Sequence, residues 1–251
     1  MSQDDAGRRA EAASSQKDRA RRLEQMVKVA TDYELSNVRG EVQILERVER
    51  PVLRWSNPLR DTDDGALFIW ARKGRPAAAL CIYNYGINDV DHEWQSLSPE
   101  PLRATYRQAT VWQPEAAKVE FHPILGDGKL AASSPARRLT QMRSLLGDFA
   151  AAMGLGPRCH ELRALTQPIY RYGSNQTDII DGAIFAFVQA TDPELLLLLE
   201  ARQEQQQPPT WHWAAARMCS WHLELKYQEN VVWTADRWDR RPDDRQPYLT
   251  L

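Results

Sequence analysis

Two histidine-containing segments carry the residue types best suited to hold a ligand. In each segment an imidazole adjoins indole rings, so a polar contact and a stacking surface stand side by side. The six candidates are His92, Glu93, Trp94, Trp211, His212 and Trp213. The chain has no HxH, HExxH or CxxC spacing, so the pattern predicts no metal site. Polar positions on edge strands are the simpler structural explanation of both segments.

Two arginines and two aspartates recur in similar surroundings. Arg54 and Arg171 each follow an apolar pair, where a guanidinium could clamp a ligand carboxylate or phosphate. Asp64 and Asp181 each begin an Asp-Gly-Ala-x-Phe segment and could form an acid/base pair near a symmetry axis. The structural alternatives are favoured, namely a salt bridge within its own half for each arginine and a turn with positive glycine φ for each Asp-Gly. The arginines stay among the ligand-binding candidates.

No motif in the sequence indicates catalysis. Cys159 and His160 are adjacent, and neighbours on a strand point to opposite faces, so they would not form a nucleophile and its base. The sequence contains no GxSxG, GxGxxG or GxxxxGK[ST] motif. We therefore assign no catalytic residue, no metal ligand and no cofactor. The three cysteines are too scattered for a disulfide framework and are expected to be reduced.

Composition excludes several classes of protein. Of the 251 residues 43% are hydrophobic and 26% are charged, which is typical of a globular chain. The 32 basic and 34 acidic side chains give a net charge of −2, without the positive field typical of nucleic-acid or membrane-surface binders. Arginines near the N-terminus keep nucleic-acid contact as a minor hypothesis.

The sequence also lacks targeting signals. It has no apolar run of 18 residues, and its first fifteen residues contain no apolar h-region. We therefore expect neither a membrane span nor a signal peptide. The default location is the cytoplasm, and export with the leader already removed is the alternative.

The chain repeats itself. Residues 20–26 read ARRLEQM and residues 136–142 read ARRLTQM, with six of seven positions identical. Compared without gaps, residues 51–83 and 168–200 share nine identities in 33 positions, where average residue frequencies give roughly two. A VW pair closes both copies. These matches occur in the same order, so we infer a tandem duplication.

Each copy is predicted to contain one helix followed by an antiparallel β-meander of about five strands, which makes the fold α+β. The helical stripe ends at Tyr33 in the first copy and at Phe149 in the second, where Ser134 can cap the helix and Gly154 can stop it. The segment DGALFIW is apolar on both faces, so both faces must be covered. The helix can cover one face and the sheet of the other copy the second, which predicts two sheets packed with pseudo-twofold symmetry.

One segment gives conflicting signals. Residues 195–199 lie in TDPELLLLLEARQEQQQ, which by itself favours a helix with Asp192 as its cap. The repeat instead aligns them with a strand of the first copy, and tertiary context overrides propensity. We predict a strand.

These patterns divide the chain into five segments. They are a flexible charged arm at 1–18, a first repeat at 19–113, a connector at 114–134, a second repeat at 135–234 and a polar tail at 235–251. The arm, the connector and the tail are expected to be mobile.

Two resemblances accompany this interpretation. At PVLRWSNP with DGALFIWARKGRP, and again at QPIYRY with DGAIFAFVQATDPE, the sequence resembles a family of uncharacterised bacterial proteins associated with planctomycetes. The likeness covers both repeats and implies no activity, and export signals in some relatives leave the compartment open. The helix-then-meander unit is similar to cystatin-like folds in architecture alone.

The sequence favours binding over catalysis. Nine tryptophans are several times the usual share. Those with an aromatic counterpart in the other copy are predicted to be core residues, whereas Trp221 and Trp238 are better ligand candidates. We predict a monomeric, non-catalytic protein that holds a small ligand or a protein partner in a groove or on a face formed by two duplicated lobes. The alternative is an enzyme with a site between the lobes that uses Asp, His and Glu side chains, and nucleic acid is a less favoured partner.

Overall fold

The computed structural model shows a mixed α+β fold. It describes residues 3–85, 90–115, 119–124, 130–173, 178–203, 207–238 and 243–251. These residues contain two α-helices, α1 (Gln3–Thr31) and α2 (Pro135–Leu146), and antiparallel strands. Strands β1 to β9 are Tyr33–Asn37, Gln43–Ile44, Glu46–Arg47, Leu53–Asn57, Thr62–Arg72, Arg75–Tyr85, Val90–Ser96, Leu102–Tyr106 and Ala109–Trp112. Strands β10 to β19 are His122–Pro123, Phe149–Met153, His160–Ala164, Tyr170–Tyr172, Ile179–Gln189, Asp192–Arg202, Thr210–Arg217, Leu223–Tyr227, Asn230–Ala235 and Tyr248–Thr250.

The described strands form three sheets rather than the two expected. The orders are β2-β1-β8-β9, then β19-β7-β6-β5-β3 with β4 beside β5, and β10-β16-β15-β14-β12-β11-β17-β18 with β13 beside β14. In the second half of the chain, residues 135–234, β12 pairs with both β11 and β14. Strands β11 to β18 therefore belong to one sheet. In the first half the equivalent link is interrupted at Leu45, since β2 pairs with β1 while β3 pairs with β5.

Both helices end earlier than the sequence predicts, and α1 also starts earlier. Ser134 caps α2 by accepting a hydrogen bond from the Arg137 backbone N–H, which confirms the predicted start. The end is wrong, because α2 finishes at Leu146 and Phe149 begins a strand, as Tyr33 does after α1. Helix α1 starts at Gln3, inside the segment expected to be a flexible arm.

Three hydrophobic clusters form the core. The first core contains Met26, Phe68, Trp70, Trp94 and Trp112; the second contains Met142, Phe149, Phe185, Trp211 and Trp213; the central core contains Leu67, Ile69, Cys81, Ile184, Leu196 and Leu198. Strand β5 alternates between two of them, because Phe68 and Trp70 enter the first core while Leu67 and Ile69 enter the central core. Both faces of this strand are therefore covered, as the sequence predicts.

The leucine run at 195–199 is part of strand β15, as the repeat predicts. Leu195, Leu197 and Leu199 enter the second core and Leu196 and Leu198 enter the central core. β15 is hydrogen-bonded to β14 on one side and to β16 on the other. Burial of both faces of the strand and hydrogen bonding to both neighbouring strands therefore outweigh the helix propensity of the segment.

The connector and the tail, which the sequence suggests are mobile, each contain a strand that pairs with a strand of another segment. After the first half, β10 pairs with β16 of the second half. After the second half, β19 pairs with β7 of the first half, and Tyr248 and Leu249 are buried there. The segment that follows each half therefore supplies an edge strand to the other half. Without these strands, β7 and β16 would leave unpaired backbone groups at the edge of a buried sheet.

Candidate ligand-binding cleft

The candidate Trp94 lies in the first core, and the half-buried candidate His92 contacts a residue of that core, Tyr33. The Tyr33 Oη atom is 2.5 Å from His92 Nδ1, and burial lowers the pKa of this histidine. Trp94 is fully buried between the rings of Trp70 and Trp112, each about 5.1 Å away between ring centroids. These two side chains pack the core of the first half.

Trp211 and Trp213 lie in the second core, where Trp213 contacts the rings of Phe149 and His122. The two histidine segments do not occupy matching positions. On the neighbouring strands Ile82 stands opposite His92, whereas its counterpart Leu199 stands opposite Trp213. His212 is one residue out of register and stands opposite Glu200 instead.

The candidate Arg54 is engaged within its own half. Its Nε atom donates to Asp64 Oδ1 at 2.8 Å, and Arg22 from α1 contacts the other carboxylate oxygen at 3.3 Å. In the second half Arg171 and an arginine of α2 hold Asp181 in the same way, with Nε to oxygen distances of 3.0 and 2.8 Å. The favoured structural explanation of both arginines, a salt bridge within each half, is confirmed.

The two aspartates do not meet. Asp64 lies on the face of β5 that enters the first core, and Asp181 lies on the face of β14 that enters the second core. The central core lies between these faces, so the aspartates cannot act as one acid/base pair.

The glycines that follow the aspartates have a different role from the one expected. Neither Gly65 nor Gly182 has positive φ. An added Cβ would lie 2.3 Å from the Trp55 ring at Gly65 and 2.4 Å from the Tyr172 ring at Gly182. Each glycine is therefore required by an aromatic ring that lies across it from the neighbouring strand.

A cleft of about 360 Å³ opens where the two halves meet. Its first-half residues are Trp55, Arg60, Tyr83, Asp91 and Glu93, and its other residues are Asp192, Met218, Cys219, Ser220, Trp221, Tyr248 and Thr250. Of the six histidine-segment candidates it contains Glu93 alone. Trp221, a candidate because it differs between the halves, is 37% exposed and lines the cleft.

Buried carboxyl groups surround this cleft. Desolvation raises the pKa of Asp192 to about 6 and that of Glu194 to about 8, and it raises the pKa of Glu93 well above its usual range. Arg60 bridges two of them, since its guanidinium nitrogens lie 3.6 Å from Asp192 Oδ2 and 2.9 Å from Glu194 Oε1. Asn57 donates to Asp192 at 3.1 Å.

Tyr248 completes the wall beside Glu93, because its hydroxyl, carried by the tail strand, donates to Glu93 Oε1. Arg217 lies over the Tyr248 ring at 4.8 Å, and it donates to the backbone carbonyls of Cys219, Trp221 and Asp236. The hydrogen bonds of this guanidinium thus go to carbonyl oxygens, and its charge also acts on Glu93.

Few of the residues of this cleft could be recognised from the sequence. Arg60 falls outside the recognised repeat identities, and Asp192 suggested only a helix cap. In the described part of the chain, no group of three or more His, Cys, Asp or Glu side chains is placed to hold a metal ion. The cleft can supply hydrogen-bond acceptors and aromatic rings.

Comparisons with protein families, with curated proteins and with solved structures found no match. The resemblances to a planctomycete-associated family and to cystatin-like folds therefore stay predictions, as does the monomeric state. No helix within the described residues is long and apolar enough to cross a membrane.

Proposed function

We propose that the chain is a non-catalytic binding protein, built from two copies of one α+β unit, that holds a ligand in the cleft where the copies meet. The observation that carries this proposal is the composition of the cleft wall. Trp55 and Glu93 come from the first half, and Asp192 and Trp221 come from the second. Sites between packed units are common places for ligands, and the volume falls within the usual range.

Matched strand registers support the duplication. Tyr33 pairs with Tyr106 in the first half as Phe149 pairs with Tyr227 in the second. In the long hairpins, the register that sets Phe68 opposite Leu80 sets the residues 117 positions later opposite each other. The two arginine–aspartate clusters repeat the same contacts. The reciprocal exchange of β10 and β19 is the arrangement that pseudo-twofold symmetry would produce.

A thermal-shift screen of the full chain against a small-molecule library tests the binding function. A ligand at 100 times its dissociation constant should raise the melting temperature by roughly 5 to 11 °C. Trp221→Ala should abolish the shift because the ring lines the cleft. Val231→Ala is the control, since Val231 is 51% exposed and does not line the cleft. A library with no hit, or hits that all persist in Trp221→Ala, would overturn the proposal.

The alternative function is an enzyme, favoured by two neighbouring buried carboxyl groups, Asp192 and Glu194, that share Arg60 and whose pKa values burial raises. Carboxyl groups with raised pKa values can serve as general acid or base. Of the residues proposed for an inter-lobe site, however, the aspartates, His92 and His212 lie outside the cleft lining, which leaves Glu93. If a reaction is found, Glu194→Gln and Glu93→Gln should each abolish it, and full activity in both would refute this alternative.

A further inference from the structure

We infer that the cleft binds a small organic cation, with its ammonium or guanidinium group held between the carboxylates of Glu93 and Asp192 and the rings of Trp55 and Tyr83. This inference rests on the proposed function, because it names the ligand class of the same cleft. The charge around the cleft, its aromatic lining and a similar cluster of the protein's own side chains each support it.

The buried groups around the cleft are acidic on balance. Glu93 and Asp192 line the cleft, Glu194 shares Arg60 with Asp192, and the charge of Arg217 acts on Glu93. Glu93 is 6% exposed and Glu194 is fully buried, so water can screen these groups only weakly. A bound cation would therefore stabilise their ionised forms.

Aromatic rings favour an organic cation over a hydrated metal ion. The Trp55 and Tyr83 ring centroids lie 5.4 Å apart on one wall, and Trp221 and Tyr248 also line the cleft. Aromatic faces attract ammonium and guanidinium groups through the ring quadrupole. A metal ion would instead need several oxygen, nitrogen or sulfur ligands arranged around one point.

The other end of the central core shows the same chemistry with the protein's own side chains. Arg75 and Arg202 donate to Glu200 through Nε at 3.1 and 2.7 Å. Their guanidinium carbons lie 5.4 and 4.0 Å from the centre of the Phe121 ring. Tyr172, which matches Trp55 in the repeat, donates to the same carboxylate at 2.9 Å. Here guanidinium groups lie between a buried carboxylate and aromatic rings.

Calorimetric titration of the full chain tests the inference. The probes are N-acetylarginine amide and N-acetylcitrulline amide, which are similar in size and shape; in citrulline a ureido oxygen replaces one guanidinium nitrogen, which removes the positive charge. We expect the arginine probe to bind roughly tenfold or more tightly than the citrulline probe. N-acetyllysine amide should also bind, and added salt should weaken binding of both cations.

Two variants locate the site. Glu93→Gln and Asp192→Asn should each weaken the arginine probe by roughly tenfold. Glu100→Gln is the matched control, because this carboxylate pairs with Arg72 outside the cleft. Near-UV circular dichroism checks the fold of each variant, and if one carboxamide variant does not fold the other decides.

The outcomes separate this inference from the proposed function. Equal binding of the two matched probes, or unchanged affinity in Glu93→Gln and Asp192→Asn, overturns the cationic ligand, while Trp221-dependent hits of another charge class would leave the binding function intact. An acetylated Gly-Arg-Gly amide that binds more tightly than the single residue would assign the cleft to a protein segment and overturn a small ligand. Absence of any Trp221-dependent binding overturns both proposals.

Discussion

The two ends of strand β15 show how one scaffold treats buried carboxyl groups in opposite ways. Glu200 and Asp192 are eight residues apart, or roughly 26 Å along an extended strand. Glu200 is contacted by two arginines and a tyrosine. At the other end Asp192 and Glu194 share Arg60 beside an open cleft. Glu200 and its partners form a balanced end, where the protein's own side chains neutralise the charge, and this suits a structural role. Asp192, Glu194 and Arg60 form an acidic end, which suits recognition of a ligand.

The largest effect is expected when the balanced end is broken. Glu200→Gln leaves two partly buried guanidinium groups without their carboxylate, which should lower the free energy of unfolding by about 3 kcal/mol. Urea denaturation of the variant and the parent chain measures this change. A loss below about 1 kcal/mol would show that solvent already screens this cluster.

The two glycines beneath the aromatic rings should come next. Gly182→Ala pushes the Tyr172 ring away from Glu200, and Gly65→Ala displaces Trp55 at the acidic end. Overpacking should cost about 2 kcal/mol in each case, and Gly182→Ala should cost more because a buried hydrogen bond is also lost. Denaturant midpoints rank the two, and the reverse order would contradict the assigned role of Tyr172.

Removing a carboxyl group at the acidic end should have the opposite sign. The pKa of Glu194 is raised in the folded chain from its usual 4.5 to about 8, so the folded state binds more protons than the unfolded state between these values. Stability therefore falls as pH rises from about 4.5 to 8, and Asp192 adds to this between 3.8 and about 6. Glu194→Gln should flatten the dependence and stabilise the chain at pH 8 by about 1 kcal/mol. Melts at pH 5 and pH 8 measure it, and an unchanged slope would contradict the raised pKa.

The smallest effect concerns the aromatic cover of the balanced end. Phe121→Leu keeps apolar volume but removes the ring over Arg75 and Arg202, so it should cost about 0.5 to 1 kcal/mol. Thermal melts can resolve this difference. Phe121→Leu introduced into the Glu200→Gln variant should lower the free energy of unfolding by less than it does in the parent chain if the ring and the carboxylate act on the same guanidinium groups.

Some contacts could be predicted because they repeat. Arg54 and Arg171 stand at equal positions in two matched segments, and their favoured explanation as internal salt bridges is confirmed. The repeat also identified β15 as a strand against its local helix propensity. The two histidine segments differ in register by one residue, and such a difference reverses the face on which a side chain lies. Glu93 lines the cleft, whereas the adjacent His92 contacts Tyr33.

The amino-acid sequence by itself determined the α+β class, the strand at 195–199 and the two-faced burial of DGALFIW, because these follow from local periodicity and from comparison of one segment with another. Only the tertiary structure decided that Arg60 meets Asp192 and Glu194 and that Tyr248 meets Glu93. These partners are separated by more than 130 residues, so no local pattern links them. Their meeting depends on how the sheets pack and on the return of the tail strand to the first half.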